Sequence, residues 1–414
     1  MEAYSENDAL EDQLIRGRSL PQRFYQDAEI FEKDMRFISS SMWLMVDHES
    51  RVRNAGDFFL VEIGTESVIV ARHASGKINA FYNVCRHRGS RICLKESGNS
   101  RSLVCPYHAW TYDLEGTLRS AKSMPVGFDP AMNSLIPCHV RVEEGLIFLN
   151  LSKEDAPDFD DFFSRARPYL VPHGLGKAKI AASEKYPTMA NWKLLVENFL
   201  ECYHCKAAHP TYCAVHDAEK IVAMGAGAGS GDAVAGQFQA TFEKWEDSAR
   251  RLGHFTGSFA DDTDSVNFQS GARIPVKEGA VTESISGAQV GPLMGDFQQF
   301  DGGQTGFVFN PFSTVLACND HAVMLSFIPR TALTADVIAI WLVREDSVQG
   351  TDYDPEDVKK VWHVTLQEDK TITENNQRGV SSRAYSPGTY SLQEQRISDF
   401  VEWYRGKVWA KSNA

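Results

Sequence analysis

Two short motifs carry most of the metal chemistry available to this chain. Cys85-Arg86-His87 and Cys105-Pro106-Tyr107-His108 each put one thiol and one imidazole within four residues, and seventeen residues separate His87 from Cys105. Each pair ends a strand-like run, where a loop can point two side chains at one centre. Two thiolates and two imidazoles suit tetrahedral zinc, or a two-iron, two-sulfide cluster in which His replaces Cys on one iron. A zinc ribbon usually draws on a Cys-x2–4-Cys pair. The mixed Cys/His loops suit a cluster with both Cys on one iron and both His on the other.

A second constellation lies within Ala190–His209. On a helix, Asn198, Glu201 and His204, spaced by three, share a face. His209 comes five residues after His204, about 140° around a regular helix. Two ligands on one metal therefore require a helix that breaks or bulges there, or else the segment is an ordinary polar helix with a surface His. Asp369 bears on the choice. Projected at 100° per residue, Val358, Val361, Trp362, Thr365 and Ile372 form the apolar face of a helix over 356–379, and Asp369 falls in its middle. Glu368 and Lys370 fall outside it. A buried carboxylate needs a cation partner, an Arg or a metal. Two His and one carboxylate form the ligand set of non-haem Fe(II) oxygenases.

The elements that must position these residues follow from texture. Residues 1–40 read as helical, ending near Phe37-Ile38. Short β-rich runs separated by Gly, Asn and Asp turns fill the next hundred residues: Phe58–Ile63, Ser67–Ala71, Asn79–Val84, Leu103–Val104 and Gly145–Leu151. Residues 153–182 read as helix and loop, and Ala190–Lys206 as helix. Met224–Gly236, rich in Gly, Ala and Ser, reads as a surface loop. Ala322–Ile328 and Asp336–Val343 read as strands. A long helix follows from about Asp354 to Gly379, with Pro355 suited to its first turn, and a last one covers Leu392–Val408. These runs predict an α+β chain in which an all-β unit, 41–152, is inserted between a helical part, 1–40, and the larger remainder, 153–414.

Composition narrows the function. The 414 residues are 43% hydrophobic and 23% charged, with net charge −13. Such an excess of acid opposes binding to nucleic acid or anionic lipid, which needs clustered Lys and Arg. The polar N-terminus has no apolar h-region of a signal peptide. The apolar run Val337–Val343 is far below the ~20 residues of a membrane span. The eight Cys read as reduced thiols or metal ligands, consistent with a cytoplasmic chain.

With these residues assembled, the chain resembles Rieske non-haem iron oxygenase α subunits from about Leu20 to Tyr404. The resemblance rests on Asn83-Val84-Cys85-Arg86-His87-Arg88-Gly89-Ser90-Arg91, on Cys105 through Tyr112, on Glu201-Cys202-Tyr203-His204-Cys205 through His209-Pro210, and on Asp369 with Glu374, Gln377, Arg378 and Gly379. It implies a small all-β Rieske [2Fe-2S] domain set in a helix-grip (START-like) catalytic domain. Cys85 and Cys105 would hold one cluster iron, and His87 and His108 the other. His204, His209 and Asp369 would hold a mononuclear Fe(II), with Asn198 and Glu201 as candidate catalytic residues beside it. It also implies a homotrimer in which Glu201 links one subunit's mononuclear iron to its neighbour's cluster. Glu at that position resembles the branch acting on quaternary ammonium compounds such as carnitine, glycine betaine and stachydrine. Trp341–Tyr353 and Gly388–Ser391 look most like betaine demethylases. Those relatives read Asn-Asn-Arg-Glu before Cys-Tyr-His, whereas Asn198-Phe199-Leu200-Glu201 has the aromatic and Leu of carnitine-type enzymes. Electrons for O2 would come from an NAD(P)H-dependent reductase, because no Gly-rich dinucleotide fingerprint follows a strand here. Two other functions compete: an aromatic-ring hydroxylating oxygenase, with Phe309, Phe312 and Tyr212 as pocket walls, and a zinc-stabilised binding protein.

Overall fold

The structure, a computed structural model, describes residues 14–217, 233–261 and 263–412. The all-β unit consists of three antiparallel sheets. Strands β1 (Leu44–His48), β10 (Leu146–Asn150) and β9 (His139–Glu143) form one. Strands β4 (Ile78–Tyr82), β3 (Glu66–Arg72), β2 (Asp57–Ile63) and β5 (Ser97–Asn99) form the second. The third is β6 (Leu103–Val104), β7 (Thr111–Tyr112) and β8 (Leu118–Ser120). Ile69, Phe81, Leu103, Trp110 and Tyr112 pack one core between the second and third sheets, and Cys85 and Cys105 belong to it.

The larger unit is a seven-stranded antiparallel sheet. Its strands are β11 (Ala178–Thr188), β12 (Gly257–Ala260), β13 (Gln269–Pro275), β14 (Gly303–Phe309), β15 (Ser313–Ala317), β16 (Ala322–Thr331) and β17 (Thr334–Arg344), in the spatial order β11-β17-β16-β15-β14-β13-β12. Alternation assigns the two faces of β17. Val337, Ala339, Trp341 and Val343 face the core that includes Val358, Trp362 and Leu366 of the Pro355–Val380 helix. Ile340 and Leu342 face a second core with Phe148, Phe307 and Phe309. Both faces are covered, so β17 is a continuous apolar run. Of the three aromatics offered as pocket walls, Phe309 and Phe312 are core: Phe309 is 0% exposed among phenylalanines, and Phe312 is 3% exposed against Trp192.

A buried ion pair ties the N-terminal helix Ala28–Ser41 to the Trp192–Phe199 helix. Lys193, fully buried, donates to the Asp34 carboxylate and to the Phe24 carbonyl at 3.0 Å. Tyr404 Oη donates to Asp34 at 2.8 Å. Removing either charge alone would strand the other, at a cost on the order of 3–5 kcal/mol.

Several expectations need correction. Residues 178–182, read as helix and loop, open the strand β11, and β12 to β15 were not anticipated. Helix ends at Phe199 rather than Lys206, because the chain leaves helical geometry at Glu201 before short helices at Cys205–Ala208 and Pro210–Val215. Of the Gly/Ala/Ser-rich stretch 224–236, residues 224–232 lie outside the described residues, and Ala233 begins a helix to Arg251. The long helix stands as read, with Pro355 in its first turn, and Asp354 caps it by accepting from Glu356 N at 2.9 Å. The last helix is a composite: 3-10 over Leu392–Glu394, α over Gln395–Trp403 and a π turn over Tyr404–Trp409.

Candidate metal centres

The two Cys/His motifs fold as matching loops. Gly89 N donates to Cys85 O at 2.9 Å, and Ala109 N donates to Cys105 O at 3.0 Å. Cys85 N donates to Ser90 O and Cys105 N to Trp110 O, both at 2.8 Å. In each loop the residue four after the Cys is left-handed, Gly89 at φ 76° and Ala109 at φ 57°. Ala109 accepts a strain of roughly 1–2 kcal/mol that Gly89 avoids. The two loops turn both thiols inward and both imidazoles outward. Cys85 and Cys105 are 2% and 1% exposed. Burial and the facing Cys105 thiol push the Cys85 thiol pKa up, against the Tyr112 hydroxyl at 3.4 Å. His87 and His108 converge, Nδ1 to Nδ1 at 3.1 Å, with His87 stacked on Trp110. The two loops thus bring the two imidazoles together on the surface side and the two thiols to the buried side.

At the second centre, Pro210 answers the geometric question. A proline bars the α conformation of the residue before it, and His209 sits at φ −124°, ψ 73° between two short helices. That break swings its ring onto the same point as His204. The Nε2 atoms lie 3.1 Å apart, and Asp369 Oδ1 is 3.5 Å from His204 Nε2 and 3.0 Å from His209 Nε2. Each outer nitrogen is held by a different carboxylate: His204 Nδ1 by Glu201, and His209 Nδ1 by Glu368 Oε2 at 2.9 Å. Asn198 Nδ2 donates to Asp369 Oδ1 at 2.7 Å. With protons on both Nδ1 atoms, neutral imidazoles turn two Nε2 lone pairs toward each other and a carboxylate. Three carboxylates around two imidazoles make a site that calls for a cation, and N, N, O donors with free positions fit Fe(II). Burial alone would depress His204, but Asp369 and Glu201 raise its pKa to about 9. For Asp369, burial is outweighed by His204 and His209, and its pKa falls below the usual range.

Glu201 reaches His204 by a route other than the expected helix face. It lies outside the helix, and its carboxylate folds back to accept from Tyr203 N, from His204 N at 3.2 Å and from the His204 ring. Glu368 was placed off the working face and in fact holds His209. Cys202 and Cys205, read as thiols, form a disulfide across His204; their Cys-x-x-Cys spacing was the overlooked signal. Beside the triad opens a cavity of about 290 Å3, walled in part by Phe199, Tyr212 and Trp362. Glu283 fixes two of those walls. It accepts from Trp362 Nε1 at 2.7 Å and pairs at 2.6 Å with His216 Nε2, whose ring stacks on Tyr212.

Residues 175–409 match the model of the ring hydroxylating alpha subunit catalytic domain, and residues 42–135 match the Rieske [2Fe-2S] domain. This is a Rieske oxygenase alpha subunit. The cofactors of this oxidoreductase family are a Rieske [2Fe-2S] cluster and a mononuclear iron, which displaces the zinc alternative. The chain is 36% identical over 403 residues to a glycine betaine monooxygenase oxygenase subunit of Pseudomonas aeruginosa, covering 95% of this chain and 91% of that one. A carnitine monooxygenase oxygenase subunit of Escherichia coli is 35% identical over 202 residues, 47% of this chain and 53% of that one. In fold, the Rieske oxygenase resembles a quaternary ammonium Rieske monooxygenase solved with L-carnitine (TM-score 0.68, 22% identity, 96% and 97% covered). It also resembles naphthalene 1,2-dioxygenase from Rhodococcus (TM-score 0.68, 16% identity, 98% and 99% covered). Among the described residues no helix is long and apolar enough to cross a membrane.

Proposed function

We propose that this chain is the oxygenase subunit of a monooxygenase that oxidises an N-methyl group of a quaternary ammonium acid, glycine betaine or a close analogue. The observation that carries the reading is the aromatic wall beside the three donors. A quaternary ammonium has no N–H to donate, so it is held by ring faces and by nearby negative charge. Tyr212 and Trp362, 5.7 Å apart, and Phe199 offer the faces. Glu201 on the same cavity offers the charge. The names of the relatives that match nearly the whole chain support the same substrate class.

Residues 41–152 form the cluster-bearing unit in this reading, with Cys85 and Cys105 on one iron and His87 and His108 on the other. His204, His209 and Asp369 hold the Fe(II), which when bound supplies the reduction of O2 coupled to oxidation of the substrate C–H bond. Glu201 and Glu368 keep a proton on the outer nitrogen of each histidine, so that Nε2 presents a lone pair. Asn198 orients Asp369. His108 lies at the surface, where it can meet Glu201 of a neighbouring copy in a homotrimer. Electrons come from an NAD(P)H-dependent reductase, and the setting is cytoplasmic.

The test is substrate-dependent O2 uptake with a surrogate reductase. Glycine betaine, stachydrine, carnitine or γ-butyrobetaine should stimulate uptake and release formaldehyde or another aldehyde. Uptake coupled only to neutral aromatics would replace this reading with ring hydroxylation.

A further inference from the structure

The cavity walls hold one feature that the aromatic faces and iron donors leave unused. Arg396, on the Gln395–Trp403 helix, is the only Lys or Arg among the described residues that line the cavity. Its guanidinium sits over the Phe268 ring, 5.0 Å from the centroid, and meets the Asp399 carboxylate through Nη1 at 3.5 Å, the outer limit of a hydrogen bond. Nη2 is buried and has no hydrogen-bond partner. A guanidinium has five N–H donors, and with Nη1 meeting only Asp399 the Arg396 head keeps donor capacity that its own fold does not use. Burial works against its charge and lowers its pKa, although Asp399 and Asp261 oppose this. A further anion would therefore be stabilising. Gln393 lines the same wall and adds an amide donor.

Charge is unequally distributed around the space. Asp369 and Glu201 stand with the histidines. With Asp369 spent on the iron, a zwitterionic substrate turns its ammonium toward Glu201 and the ring faces of Phe199, Tyr212 and Trp362, and its own carboxylate toward the basic side chain on the wall. We infer that Arg396, assisted by Gln393, is the specificity-determining residue that receives the substrate carboxylate and so selects quaternary ammonium acids over quaternary ammonium alcohols. This inference rests on the substrate class proposed above.

The experiment uses the holoenzyme with a surrogate reductase and compares glycine betaine with choline, which keeps the trimethylammonium and lacks the carboxylate. Arg396→Gln should raise KM for glycine betaine roughly 30- to 100-fold, the scale of one lost charge-assisted partner. Its kcat should change far less, and KM for choline should stay within about threefold. Arg396→Lys should recover part of the betaine KM, because it restores charge without the fork. The cluster spectrum reports folding of each variant. Should Arg396→Gln fail to fold, the exposed Gln393→Glu carries the test: a carboxylate there should raise KM for betaine and lower it for choline. Equal KM changes for both substrates, or a betaine KM within threefold of wild type, would overturn the inference while leaving the substrate class standing. A wild-type enzyme that neither binds nor oxidises betaine or any other quaternary ammonium acid overturns the substrate class, and this inference with it.

Discussion

Glu197→Gln should make the protein more stable at pH 8 and change little at pH 5. Glu197 lies on the Trp192–Phe199 helix, is 7% exposed, and accepts from Tyr25 Oη at 2.9 and 3.2 Å. Burial pushes its pKa up to about 8, against the opposing pull of Tyr25 and of Lys193. The unfolded chain returns it to the ordinary 4.5. Between those values the folded protein binds the extra proton. Its stabilising contribution is therefore whole below pH 4.5 and is lost as pH rises to 8. Full loss of a shift from 4.5 to about 8 is worth on the order of 5 kcal/mol. Glutamine keeps an acceptor for Tyr25 and has no charge to desolvate.

The assay is thermal unfolding of the holoprotein, followed by near-UV circular dichroism at pH 5, 6.5 and 8. Wild type should lose several degrees more than Glu197→Gln across that range, at roughly 1–2 °C per kcal/mol for a chain longer than those for which ~2–4 °C is usual. The two midpoints should meet near pH 5. Parallel curves would refute the reasoning, because Glu197 would then be as ionised in the fold as in the unfolded chain.

Purified holoprotein should carry about two iron and two acid-labile sulfide in the cluster and one further iron per chain; one zinc without sulfide contradicts this. His204→Ala, His209→Ala and Asp369→Ala should each abolish turnover and lose only the further iron, with the visible cluster spectrum intact. Glu201→Gln should keep its iron and a reducible cluster while turnover falls by about one to two orders of magnitude; an unchanged rate of cluster reoxidation in a single turnover would remove Glu201 from the electron path. Glu368→Gln should weaken iron affinity by roughly 10- to 100-fold through loss of the His209 orientation, read by chelator competition; unchanged affinity would reduce Glu368 to a surface contact.

What was legible in the sequence was local, and what was missed depended on packing. The Cys85–His87 and Cys105–His108 loops could be read because each brings its donors together within four residues. Strands β12 to β14 could not, because Gly257, Gly271, Gly303 and Gly306, with Pro275, dilute their apolar signal. Their partners, not their own residues, hold them in the sheet. The same division runs through the second centre. His204 and His209 each need a carboxylate on Nδ1. For His204 it comes from Glu201, three residues earlier, and the pairing was expected even though the helix proposed to mediate it ends at Phe199. For His209 it comes from Glu368, 159 residues away along the chain. The helical projection placed Asp369 correctly on the buried face and set Glu368 aside for lying 100° from it. A projection assumes a single contact face. The Pro355–Val380 helix is met on its flank by the kinked 204–210 segment, so two neighbouring carboxylates, one facing the core and one at its edge, engage opposite nitrogens of the same imidazole. An acid beside a buried acid, on a helix facing a His-x4-His-Pro kink, is thus a pattern that a sequence can carry. It becomes readable once the proline is taken to break the helix.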